Sequence, residues 1–168
     1  MSTLLKRIRG LHDRFFALLS YAQSPLLLCI RVYWGWQLTQ SGWGKLHNLD
    51  KVTDFFASLH MPAPATMAFF IACVEFFGGI FFALGAFSRM TSLVLTVNLT
   101  MAYIIADREA LFSVFSDPDK FTAAAPFNFL VAAVLILIFG AGKLSVDTAV
   151  DRFLEHRDAK QVERSAAV

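Results

Sequence analysis

Four stretches, residues 24–43, 65–87, 90–106 and 123–142, are almost wholly apolar and run for 20, 23, 17 and 20 residues. A helix rises about 1.5 Å per residue and about 20 residues cross a hydrocarbon core of about 30 Å, so each stretch is a candidate span, the third near the lower limit. Barrel strands are excluded, because they alternate polar and apolar residues over roughly ten positions. Lipid offers no partner to backbone N–H and C=O groups, and the helix satisfies them internally. With 57% hydrophobic residues and eighteen Phe among 168, one aqueous core could not hide so much apolar surface. The sequence therefore predicts an all-α integral membrane protein, a four-helix bundle forming one domain.

Three segments are expected. Residues 1–22 carry Leu4, Ile8, Leu11, Phe15 and Leu18 at helical spacing with Lys6, Arg7, Arg9 and Arg14 on the other side, the pattern of an amphipathic helix lying on a membrane surface. The apolar part of this arm is short and lacks a small-residue cleavage site, which argues against a removed signal peptide. Residues 23–143 hold the spans, and 144–168 form a solvated tail with nine charged residues of both signs after Leu144. Only Ser88 and Arg89 separate the second and third spans, so these form a tight antiparallel hairpin. The arm, that turn and the tail hold ten Lys and Arg, the other two loops four, which predicts a multi-pass plasma (inner) membrane protein with both termini cytoplasmic. Val52, Phe55, Phe56 and Leu59 in one outer loop, and Leu111, Phe112, Val114 and Phe115 in the other, have helical spacing suited to the bilayer surface or to capping the bundle.

Arg31 and Glu75 interrupt the first and second spans. A charge in lipid costs about 2.5 to 3.5 kcal/mol on insertion scales, so both should face the interior and find partners. Measured by helix rise from the inner edge, Arg31 lies at roughly 10 Å and Glu75 at roughly 18 Å, a gap that a long guanidinium side chain nearly closes. Asn98 falls between them at roughly 13 Å, and Gln37 reaches a similar level, so Arg31, Glu75, Asn98 and Gln37 are the ligand-binding candidates. Such a cluster is either a satisfied network that fixes how the helices dock, or a site for a proton, a quinone head group or another polar ligand. Lys45 and Arg89 are secondary candidates, read first as anchors reaching for lipid phosphate. Arg31, Gly35, Leu38, Gly42 and Lys45 recur at steps of four, three, four and three, and Glu75, Gly79, Phe82, Ala86 and Arg89 repeat them. Packing, chance and internal duplication account for this equally.

Several classes fall away. A net charge of +2 without a basic stripe argues against nucleic acid. Cys29 and Cys73 sit at depths about 10 Å apart, too far for a disulfide. His12, His47, His60 and His156 all lie outside the spans, so axial ligands for an intramembrane haem are missing. There is no C-x-x-C, H-E-x-x-H or G-x-S-x-G motif, so neither a metal site nor a catalytic residue is assigned. No covalently bound cofactor is expected, and a quinone is the ligand considered.

The chain resembles the DoxX family of small four-span bacterial and archaeal membrane proteins. The resemblance rests on Arg31 followed by Gly35, Gly42 and Lys45, on Met61–Pro62–Ala63–Pro64, and on Glu75 with Gly79. It continues through Gly85 and Arg89 to Gly140–Ala141–Gly142–Lys143–Leu144–Ser145–Val146–Asp147. It implies a plasma-membrane protein linked in some members to quinone-reducing sulfur oxidation and in others to small membrane oxidoreductase complexes. Arg31, Lys45, Glu75 and Arg89 are the polar positions it carries over. The resulting expectation is a subunit or accessory of a membrane oxidoreductase system with an intramembrane pocket for a quinone or similar amphiphile. Its partners would be membrane lipid, a membrane or soluble redox protein, and further copies of the chain. The alternatives are a non-enzymatic scaffold or assembly factor recruiting a soluble partner, and a transporter of small solutes or protons.

Overall fold

A computed structural model describes residues 3–166, with side chains described over 21–160 and at a few earlier positions. Every element among the described residues is helical: α1 (Thr3–Leu46), α2 (Leu49–Ser58), α3 (Pro64–Leu84), α4 (Ser88–Ile105), α5 (Arg108–Phe112), α6 (Pro118–Ala123), α7 (Pro126–Phe139) and α8 (Val146–Ala166). The boundary expected at residue 22 falls inside α1, which runs unbroken for 44 residues past Pro25. No glycine or turn residue stops the helix there, and one proline is tolerated within a long apolar helix. Most side chains that define the amphipathic pattern of residues 1–22 lie outside the described set.

α1, α3, α4 and α7 form a ring in which α1 packs on α3, α3 on α4, α4 on α7 and α7 on α1. The closest approach is along α1 and α3, where small residues let two backbones meet. A Cβ on Gly35 would lie 2.8 Å from the Ala83 nitrogen, one on Gly79 2.6 Å from the Thr39 nitrogen, and one on Gly42 2.7 Å from the Phe76 Cα. The two small-residue faces repeated in the sequence therefore pack against each other, running antiparallel. Leu27, Leu38, Phe82, Leu95, Leu99, Ala132, Ala133 and Ile136 fill the core inside the ring.

α3 and α4 form the expected hairpin. Its turn holds Gly85 at φ +67° and Phe87 at φ +47°. Gly85 is required twice over, by its left-handed backbone and because a Cβ there would collide with the Arg31 guanidinium. The last apolar run yields a shorter helix than its 20 residues promise. α7 begins at Pro126, ends before Gly140 at φ +77°, and spans 14 residues, or about 21 Å. α1 over His12–Leu46 and α3 over Pro64–Leu84 are long and apolar enough to cross a membrane. Outward faces of the ring carry exposed Val32, Trp36, Phe69, Phe70, Phe77, Val97 and Ile138, an apolar sheath suited to lipid. α2 lays buried Phe56 over one end of the bundle, while Phe112 and Phe115 stand exposed on the other loop of that end.

Candidate functional site: a buried ion pair in an apolar cavity

The antiparallel register of α1 and α3 decides which charges meet. Gly35 lies level with Ala83 and Gly42 with Phe76, so Glu75 falls beside the Lys45 end of α1, and Arg31 falls beside Gly85. Arg31 and Lys45 are 14 residues apart, about 21 Å along the helix. The Arg31–Glu75 pair expected from depth alone does not form. Depth was counted from the ends of apolar runs, whereas the glycine contacts set the register.

Glu75 instead forms an ion pair with the ammonium of Lys45 and accepts a hydrogen bond from Ser41 Oγ at 2.9 Å. Its side chain is 7% exposed and that of Lys45 31%. The pair sits at the wall of a cavity of about 440 Å3 bounded by α1, α2, α3, α4 and α7. Leu38, Phe55, Phe56, Leu99, Ala102 and Phe129 are among the apolar groups lining it, and Asn98 adds a carboxamide that has no hydrogen-bond partner among the described residues. Lys51 and Asp107 also line it. A volume of this size, mostly apolar with a few convergent polar groups, suits a small amphiphile. α2 covers the cavity because its apolar residues recur at helical spacing and Phe56 packs inward.

The four primary candidates thus separate. Glu75 and Asn98 share the cavity, Gln37 is half-buried and does not line it, and Arg31 is at the opposite end of the bundle. Of the secondary pair, Lys45 joins Glu75, and Arg89 is exposed near Arg31's end. Ser41 was not singled out from sequence, although it lies one helical turn before Lys45 on the same face.

At the other end Arg31 is fully buried and its Nη2 donates to the Leu144 carbonyl at 2.5 Å. Its Nε and Nη1 have no partner among the described residues. Asp147 accepts from the Phe87 amide at 2.7 Å and from the Ser88 amide at 2.8 Å, and also from the Ser88 hydroxyl, while its own amide donates to the Gly85 carbonyl at 3.1 Å. The start of α4 is thereby capped from 59 residues away in sequence. Burial pushes the Asp147 carboxyl up, but the Ser88 hydroxyl, the two amides and the Arg31 charge outweigh it and hold it below the ordinary range.

An all-helical ring with an apolar exterior, enclosing a buried ion pair, defines a helical membrane protein with an internal polar site. The model of the DoxX family matches residues 26–108, about half of the chain, which includes Arg31, Lys45, Glu75, Arg89 and Asn98. The chain belongs to the DoxX family. The Gly140–Asp147 segment lies beyond the matched residues. Neither the curated proteins nor the solved structures give a match.

Proposed function

We propose that this DoxX-family chain is a subunit or accessory of a membrane oxidoreductase system, and that its Lys45–Glu75 cavity receives the head group of a quinone or similar amphiphile. The reading takes α1, α3, α4 and α7 as four spans with both termini cytoplasmic, supported by the ten-to-four distribution of Lys and Arg. The cavity then opens on the outer side. What carries the proposal is the buried carboxylate held by Lys45 and Ser41 at the wall of a largely apolar cavity.

Lys45 is placed to donate to a carbonyl oxygen and Asn98 to offer a second hydrogen bond, while Glu75 gives or takes a proton as the bound ring changes oxidation state. Phe55, Phe56 and Phe129 supply flat apolar walls. The redox centre that delivers or removes electrons belongs to a partner protein. The test is quinone retained by the gently purified protein, measured by mass spectrometry, for wild type, Glu75→Gln and Lys45→Met. Retention should fall in both variants and stay unchanged in Arg89→Gln; equal retention in all four would end the proposal.

A second reading, a scaffold that recruits a soluble partner, draws on α8, where exposed Val150, Phe153 and Leu154 accompany charges of both signs. Truncation after Ala149, which keeps Asp147 and its cap on α4, would then abolish partner capture while leaving quinone retention intact.

A further inference from the structure

A second cavity, of about 430 Å3, lies where the middle of α1 and the segment following α7 meet the starts of α4 and α8. It shares no lining residue with the Glu75 cavity. Two cations line it, Arg89 and Lys143, and neither has an ion-pair or hydrogen-bonded side-chain partner among the described residues. The Lys143 ammonium only lies over the Tyr21 ring, 5.9 Å from its centroid. Backbone donors are also open, since the amides of Ala141 and Gly142 in the lining donate to nothing among the described residues. Ser24 Oγ accepts from the Lys143 amide at 3.3 Å and retains its own proton to donate.

The one carboxylate in the lining does not cancel these charges. Asp147 is already engaged by the Phe87 and Ser88 amides and the Ser88 hydroxyl. What remains unsatisfied is cationic and hydrogen-bond donating, the complement of a phosphate group. The surroundings indicate what carries that phosphate. Phe87, Met90, Phe139 and Leu144, each next to a lining residue in the chain, are all more than half exposed. An ion in water has no use for such a rim, whereas acyl chains do. Basic pockets between membrane helices at the cytoplasmic side are suited to anionic head groups.

We infer that this cavity binds the phosphate of an anionic phospholipid, with Arg89 and Lys143 as its charge partners and the apolar rim against the acyl chains. The site uses none of the quinone-cavity residues, so either assignment can fail alone. The test places the full chain in nanodiscs of dioleoylphosphatidylcholine containing one-tenth dioleoylphosphatidylglycerol, releases it gently, and counts retained lipids by native mass spectrometry. Wild type should retain phosphatidylglycerol well above its share of the bilayer. Arg89→Gln with Lys143→Gln should lower that retention about tenfold or more. Arg89→Lys with Lys143→Arg should keep it, separating charge from folding. Equal retention by wild type and the double Gln variant would overturn the site. In a parallel arm, inorganic phosphate is titrated onto the protein in pure phosphatidylcholine nanodiscs. Binding as tight as that of the lipid would overturn the lipid assignment in favour of a free anion.

Discussion

Lys45 and Glu75 are unequal partners, because the carboxylate is far more buried than the ammonium. Removing the lysine strands a charge in a dry wall, whereas neutralising the glutamate leaves a cation that can reach water. Lys45→Met should therefore destabilise the protein more than Glu75→Gln, by about 3 kcal/mol against about 1, and the double variant should recover part of the loss. Thermal unfolding in detergent micelles checks the order. Asp147 gives a pH prediction. Its carboxyl lies below its unfolded value, so its contribution is complete above about pH 4 and is lost as pH falls through the folded value. Protection of the Phe87 and Ser88 amides from hydrogen exchange, taken relative to the intrinsic rate at each pH, should fall below that pH in wild type and be low at every pH in Asp147→Ala. Sequence alone named Glu75, Asn98 and Lys45, because ionisable and amide groups in apolar runs stand out. It could not name their partners, since a partner depends on a register that no single run contains.

The seam between α1 and α3 is the element that sets that register. Gly42 has the Phe76 backbone against it and the Ala72 carbonyl oxygen 2.9 Å from where a Cβ would sit. Gly42→Val should force the helices apart and cost about 3 kcal/mol or more. Gly44, two residues on and still in α1, has nothing within 4 Å of a Cβ, so Gly44→Ala should gain about 0.5 kcal/mol. Melting temperatures of the two variants should move in opposite directions. The small-residue steps were visible in both runs, and their use was not: two identical patterns read equally well as duplication until the backbones were seen to meet. The start of α3 at Pro64 was legible to within a residue, whereas the end of α3 before Gly85 and the start of α7 at Pro126 fall inside the apolar runs 65–87 and 123–142, because proline and glycine interrupt a helix without interrupting its hydropathy. Continuity through Pro25 was not legible, because local signals for an interfacial arm and for an unbroken helix coincide there.

At the scale of the molecule, the proposed orientation is open to a direct test. With Cys29 and Cys73 replaced by Ser, a single cysteine at Ser58 should react with a membrane-impermeant thiol reagent on intact cells. One at Lys160 should react only after permeabilisation. The opposite pattern would invert the bundle and turn the Glu75 cavity inward. The all-helical class was legible from composition and run length, since neither depends on how the runs pack. The division of polar residues into two ends was not, because it arises from antiparallel packing. Between those ends lie Leu38, Phe82, Leu95, Leu99 and Ile136, with α1 and α3 pressed together alongside. That layer is largely apolar. In the proposed orientation it would insulate the two ends from each other, so a proton exchanged at Glu75 would leave by the mouth through which the ligand enters, and the chemistry proposed for the cavity stays on one face of the membrane.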